Sequence, residues 1–248
     1  MPCLTVREET TMEHDHTPEA IKARLSAGPG HSYLRDFVYG GIDGAVTTFA
    51  VVSGVVGAQL SAGIILVMGI ANLIGDGFSM AASNYLGTKA ERDEIDHIEA
   101  IEHRHIDTDP DGEREEVRQI FAEKGFQGQD LSRVVELITS NRKIWVRTML
   151  TEEYGLPHQV RSAWLAALST FGAFLICGLV PLVPFLFKVS SAFPLAAVLT
   201  GGVFFAIGSV KSIWSTISWW KSGLATLTVG GIAAGLAYVV GVLLKGLA

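Results

Sequence analysis

The chain has 248 residues, 49% of them apolar, with 27 glycines and a mean hydropathy of +0.36, a composition typical of apolar helices packed closely in a membrane. The formal net charge of −6 arises from one segment, because 17 of the 25 acidic residues lie between residues 89 and 160. These values exclude a basic nucleic-acid-binding protein, and the two cysteines, Cys3 and Cys177, exclude a disulfide framework.

Residues 1–35 form a polar amino-terminal tail that lacks the apolar core of a secretory signal peptide. Within it, a proline at a first helical position predicts a short helix over Pro18–Ala27. This helix could lie on the membrane surface.

Five later stretches have about the 20 apolar residues that a membrane span requires. The first two are separated by only a residue or two near Leu60, which predicts an antiparallel helical hairpin. The sequence therefore predicts an all-α integral membrane protein with five transmembrane helices, spans 1–2 within residues 36–88 and spans 3–5 within 161–248. The five stretches are Phe37–Leu60, Ala62–Leu86, Ser162–Phe187, Phe193–Trp214 and Gly223–Leu244.

Basic residues predict the orientation of the spans. Lys22, Arg24 and Arg35 precede the first span, and eleven basic residues lie between Lys89 and Arg161. Because basic loops stay in the cytoplasm, we expect the amino terminus and the segment 89–160 there, with the carboxyl terminus outside.

The segment 89–160 has helical periodicity, interrupted by turn signals at Asp109 and Gly125. It predicts a small cytoplasmic domain of three helices. The first continues span 2 to about Ile106, the second covers Glu113–Lys124, and the third covers Leu131–Tyr154 with a break near Asn141.

Four polar or sulfur-containing side chains interrupt the first two spans, namely Asp43, Asn72, Asp76 and Met80. A charged group inside a span costs about 2.5–3.5 kcal/mol on insertion scales, so its presence favours a functional role. The last three are spaced four apart and share one helix face. Counting from the inner span ends puts Asp43 and Met80 at the same depth, about 10 Å, where carboxylate and thioether could meet.

This pair of ligands predicts a transported transition metal. Carboxylate oxygens suit hard cations and a thioether suits softer ones, which favours Fe(II) or neighbours such as Mn, Co, Ni and Zn. Protons would compete with metal for Asp43, and Asp36 or Asp76 would assist in proton binding. The alternative is that Met80 fills a packing gap and Asp43 bonds a neighbouring helix.

The segment 89–160 carries a similar set of ligands. Three pairs are spaced three or four apart, so that each points from one face of its helix, and three helices could bring them to a common metal site. The alternative is a solvated acidic surface. The pairs are Glu102 with His105, Glu113 with Glu116, and Met149 with Glu153.

Two other functions remain open from the residues alone. Glu94 with His97 and Glu102 with His105 both read Glu-x-x-His, which di-iron proteins use, so an iron-oxidising membrane protein is one alternative. However, both motifs lie on one predicted helix, whereas a di-iron site takes them from different helices. A metal-sensing membrane protein is the other alternative.

Three segments resemble the vacuolar iron transporter family. The resemblance implies five spans, no prosthetic group, a homodimer, and proton-coupled export of Fe(II), and often Mn(II), from the cytosol. Gly40 and Gly44 would then permit the close helix approach that the dimer needs. The segments are RDFVYGGIDGAVTTFAVVSGVVGA, ANLIGDGFSMAASNYLGTKAE and SWWKSGLATLTVGGIAAGLAYVVG.

Carried over by position, the resemblance implies metal-path ligands at Asp43 and Met80. It implies metal ligands of the cytoplasmic domain at Glu102, Glu113, Glu116, Met149 and Glu153.

Three positions depart from the family pattern. His105 stands where glutamate is common, Leu150 where a second methionine can occur, and Asn72 where some members have glutamate. We expect Asp76, one turn away, to supply the charge that Asn72 lacks. With no organellar signal evident, we expect a bacterial inner membrane, with a vacuolar membrane as the alternative.

Overall fold

The computed structural model describes residues 15–27, 32–157 and 161–247, and all its regular elements in these ranges are helical. Cys3 lies outside them, and Cys177 is a buried free thiol. The α-helices are α1 (Pro18–Ala27), α2 (Leu34–Gly57), α3 (Ala62–Thr108), α4 (Pro110–Glu123), α5 (Gly128–Thr139), α6 (Arg142–Glu152), α7 (Ala163–Leu179), α8 (Val183–Leu186), α9 (Ala192–Lys211) and α10 (Trp219–Leu244).

The predicted amino-terminal helix is present as α1, with the predicted bounds. The hydroxyl of Thr17 accepts a hydrogen bond from the backbone N–H of Ala20, which satisfies one of the free donors at the helix start. Its position on a membrane surface stays a prediction.

The prediction of five membrane spans is confirmed by five helical segments long and apolar enough to cross a bilayer. The third continues from α7 into α8 through a 3-10 turn, where Pro181 and Pro184 cannot donate backbone hydrogen bonds. The segments are Leu34–Gly57, Ala62–Thr108, Ala163–Leu186, Ala192–Trp214 and Trp219–Leu244.

Helix α2 packs against α3, α7, α9 and α10 and is the centre of the membrane region. Its approach to α7 is closest at Gly40 and Gly44, where an added Cβ would collide with the backbone carbonyls of Thr170 and Phe174. The two glycines therefore serve a contact within the chain. This corrects the expectation that they serve a dimer contact, and the homodimer itself stays a prediction.

Helix α3 has 47 residues, a length of about 70 Å, so that its second half extends beyond any bilayer. This part joins α4–α6 in a small helical unit, called here the polar domain (residues 89–157). The third predicted helix is divided at Asn141, whose side chain accepts hydrogen bonds from the N–H groups of Lys143 and Ile144 and caps α6. The core of the domain consists of Ile106, Val117, Val135, Ile138, Trp145, Val146 and Met149.

Candidate metal path and metal-binding cluster

Hydrogen bonds between α2 and α3 fix the register of the membrane hairpin. The amide of Asn72 donates to the hydroxyls of Thr47, at 3.2 Å, and Thr48, at 3.4 Å. One turn nearer the polar domain, the carboxylates of Asp43 and Asp76 lie close enough to interact electrostatically. The polar track predicted on α3 therefore faces polar groups of α2.

Met80 lies one helical turn nearer the polar domain than this acidic pair. It lines a cavity of about 480 Å³ together with Arg35, Asp36, Tyr39 and Asn84. Counting residues from the span ends had placed Met80 at the depth of Asp43, and the observed register differs by that turn. The count assumed that the ends of the two spans, as read from the sequence, lie at the same depth. The alignment of α2 with α3 is instead set by contacts between their side chains.

Asp36 is the most enclosed of the predicted path residues and is 6% exposed. One guanidinium nitrogen of Arg161 donates to both of its carboxylate oxygens, at 2.9 and 3.0 Å, and the amide of Asn84 donates at 2.9 Å. The same amide donates to the hydroxyl of Thr170 at 2.8 Å. This network joins α2, α3 and α7 at the end of the membrane region next to the polar domain, and it leaves Asp36 already paired with a cation.

In the polar domain, α3, α4 and α6 bring the predicted ligands together. An imidazole nitrogen of His105, Nδ1, is 3.2 Å from a carboxylate oxygen of Glu113 and 4.0 Å from one of Glu102. Glu102 also accepts a hydrogen bond from the Tyr154 hydroxyl at 3.2 Å. The side chains of Glu116 and Glu153 are exposed at the edge of this group. We call these six residues the acidic cluster.

The acidic cluster favours the binding of cations, because its carboxylates lie close to one another. Burial, and then the neighbouring charges of Glu102, Glu116 and Glu153, raise the pKa of Glu113 to about 7. The side chain of Glu153 is exposed but partly desolvated, and this desolvation, followed by the charges of Glu116 and Glu102, also raises its pKa. Carboxylates held this close repel one another, so either protons or a metal cation must reduce their charge.

Two oxygen atoms of the cluster have unmet bonding capacity. Among the described residues, one carboxylate oxygen of Glu102 and one of Glu113 are buried without a hydrogen-bond partner. Glu102 is 1% exposed and Glu113 is 4% exposed, so leaving such oxygens unpaired is costly. Nevertheless, within residues 15–27, 32–157 and 161–247, no three His, Cys, Asp or Glu side chains already stand in a metal-holding arrangement.

Met149 is fully buried and belongs to the hydrophobic core of the polar domain. It lies on α6, one turn before Glu153, whose backbone N–H donates a hydrogen bond to the Met149 carbonyl. Three residues of these sites were not identified from the sequence, namely Tyr154, Arg161 and Asn84. Their partners lie 48 to 125 residues away in the chain, and no spacing pattern marks such contacts.

The sequence model of the VIT family matches residues 34–242, which include the polar domain and all five spans except the last two residues of the fifth. The chain belongs to the VIT family. Residues 1–33 and 243–248 lie outside the match, so the family assignment rests on the membrane region and the polar domain together.

Relatives are similar over most of their length. A vacuolar iron transporter of Toxoplasma gondii is 33% identical, over 86% of this chain and 74% of its own. One of Centaurea cyanus is 32% identical, over 83% and 85%. Vacuolar iron transporter 1 of Eucalyptus grandis is 30% identical, over 88% and 87%. The similarity therefore covers about three quarters or more of the length of each of these transporters.

Proposed function

We propose that this VIT-family chain is a homodimeric exporter of divalent transition metals that moves Fe(II), with Mn(II) as a second substrate, out of the cytosol in exchange for protons. The observation that carries the proposal is the acidic pair Asp43 and Asp76, two carboxylates on neighbouring membrane helices that are close enough to interact electrostatically. Two carboxylates in that environment need a cation or protons between them. The iron substrate is supported by relatives named vacuolar iron transporters.

The path through the membrane begins at the cavity lined by Met80. A thioether and a carboxylate in succession suit a cation of intermediate softness, which favours Fe(II) and Mn(II) over Mg(II) and Ca(II). The ion passes from Met80 to Asp43 and Asp76, and then towards Asn72. Asp36 helps indirectly, because its pairing with Arg161 fixes the entrance between α2, α3 and α7.

The polar domain supplies metal to this entrance. Glu102 and Glu113 offer the two buried oxygens without hydrogen-bond partners, and His105 adds an imidazole nitrogen. A bound ion draws Glu116 and Glu153 inward from their exposed positions, with Met149 as a softer ligand. The imidazole, where the family commonly has glutamate, shifts preference towards Fe, Zn or Ni.

The direction of transport is inferred from the basic residues of the polar domain, and the membrane is inferred from the relatives. Eleven basic residues between Lys89 and Arg161 support a cytosolic polar domain, so metal captured there leaves the cytosol. The relatives are named as vacuolar proteins, which favours a vacuolar-type membrane over the bacterial inner membrane that the sequence first suggested.

Purified protein in liposomes that contain an iron-sensitive dye tests the transport and its coupling separately. We expect Fe(II) uptake that is faster when the lumen is acidic, with the lumen becoming more alkaline as metal enters. Mn(II), Co(II), Ni(II) and Zn(II) are compared at equal concentration. Uptake that is indifferent to the pH gradient would disprove proton antiport, and an absence of uptake for all five ions would disprove transport.

An iron-oxidising function is less well supported. Glu94 with His97 and Glu102 with His105 lie on the same helix, α3, and are eight residues or about 12 Å apart. A di-iron site takes such motifs from different helices. Oxygen-dependent Fe(III) formation that is lost in Glu94→Ala would nevertheless establish it.

A further inference from the structure

Two further cavities lie between α3 and α7, on the side of α3 opposite to the metal path. The first is an apolar groove of about 360 Å³ within the membrane region, lined by residues such as Phe78, Ala82, Leu168 and Phe171. The second is a polar pocket of about 240 Å³. Neither contains a residue of the proposed metal path.

The two cavities are adjacent, because Tyr85 and Trp164 line both. Their rings are 4.8 Å apart between centroids, and Trp164 is 67% exposed. Tyrosine and tryptophan concentrate where the hydrocarbon of a bilayer meets the headgroups. The groove therefore lies at the depth of acyl chains, and the pocket lies at the depth of headgroups on the side of the polar domain.

The pocket is basic. Lys89 and Arg92 lie one and two turns beyond Tyr85 on α3, and Arg161 faces them from the start of α7. Asp93 is the one carboxylate in the lining, and Arg161 is already paired with Asp36. Among the described residues, Lys89 and Arg92 form no ion pair. Two unpaired cations at headgroup depth are complementary to a phosphate.

From this arrangement we propose that the groove and the pocket together bind one anionic phospholipid of the leaflet adjacent to the polar domain. Lys89 and Arg92 hold the headgroup phosphate, and an acyl chain lies in the groove along Phe78 and Phe171. The apolar groove confers little preference, because other lipid chains are equally apolar. Selection comes from charge, and the groove determines where the selected lipid sits.

The test uses full-length protein in phosphatidylcholine vesicles that contain a small share of phosphatidylglycerol with brominated acyl chains. Bromine quenches nearby tryptophan, and the difference between the natural protein and Trp164→Phe isolates the signal of Trp164 from those of the other tryptophans. The same vesicles with brominated phosphatidylcholine give the reference. Each basic side chain near a surface strengthens binding of an anionic lipid by about fivefold. With two such side chains, Lys89 and Arg92, we therefore expect a preference for phosphatidylglycerol of about 25-fold at Trp164.

Two variants and a matched control separate the parts of the site. Lys89→Gln with Arg92→Gln should reduce the preference to about one. Ala82→Phe fills the groove and should weaken quenching by phosphatidylglycerol. The control, Lys143→Gln with Arg147→Gln, removes the same charge from exposed positions on α6 and should keep the full preference. Circular dichroism and a single elution peak show that each variant folds.

Three results would overturn the proposal. Equal quenching by the two brominated lipids would show that the site does not select anionic lipid. A preference that survives Lys89→Gln with Arg92→Gln would locate the selection elsewhere. Loss of the preference in excess inorganic phosphate, without any effect of Ala82→Phe, would show a site for free anions and not for lipid.

Discussion

The buried ion pair between Asp36 and Arg161 gives the sharpest prediction about stability. Removing one partner of a buried pair costs about 3–5 kcal/mol, because a charge is left unpaired away from water. Asp36 is 6% exposed, whereas the side chain of Arg161 is 33% exposed and can gain hydration. We therefore expect Arg161→Gln to lower the free energy of unfolding by about 3 kcal/mol. Asp36→Asn should cost about 1–2 kcal/mol, since the new amide can still accept from Asn84.

The double variant, Asp36→Asn with Arg161→Gln, shows whether the two side chains interact or contribute to stability independently. With the charge removed from both sides, the loss should be smaller than the sum of the single losses by about 1 kcal/mol or more. Unfolding is followed by circular dichroism in one detergent under constant conditions. Single losses that add to within about 0.5 kcal/mol would refute the reasoning, because independent sites add in that way.

Three further predictions concern packing and the acidic cluster. Gly44→Ala should lower the free energy of unfolding by about 1–3 kcal/mol, because the added Cβ meets the backbone of Phe174. Gly75→Ala is the control and should cost nothing, because the space around its added atom is open. Comparing the melting temperatures of the two variants tests this. Since the pKa of Glu113 is raised to about 7, the folded metal-free protein binds more protons than the unfolded chain between pH 4.5 and 7. Stability should therefore fall by about 3 kcal/mol as the pH rises through this interval, and chelator-treated Glu113→Gln should show a flatter profile in thermal unfolding. Tyr154→Phe removes a donor to Glu102 and should cost about 1 kcal/mol in the same assay, and an unchanged melting temperature would contradict the bond.

The positions of the helices could be predicted from the sequence because apolar length and turn residues act locally. The span starting at Ala62, the break at Asn141 and the helix Pro18–Ala27 all follow from such signals. The grouping of Glu102, His105 and Glu113 also follows, since residues three apart share a helix face and α4 turns back directly after α3.

Relations between distant helices could not be predicted in the same way. The contact of Arg161 with Asp36 spans 125 residues, and the alignment of Met80 relative to Asp43 depends on side-chain contacts along the hairpin. Gly40 and Gly44 have a spacing that suits any close helix approach, so the sequence does not distinguish a contact with α7 from one with a second chain.

The central claim is that metal crosses the membrane through the acidic pair of α2 and α3. The most direct measurement compares initial Fe(II) uptake into liposomes by the natural protein, by Asp43→Asn and by the control Asp96→Asn, which removes an exposed carboxylate of α3. We expect Asp43→Asn to lower the rate by about tenfold or more, equivalent to about 1.4 kcal/mol, with the control unchanged. Near-normal uptake by folded Asp43→Asn would contradict the account.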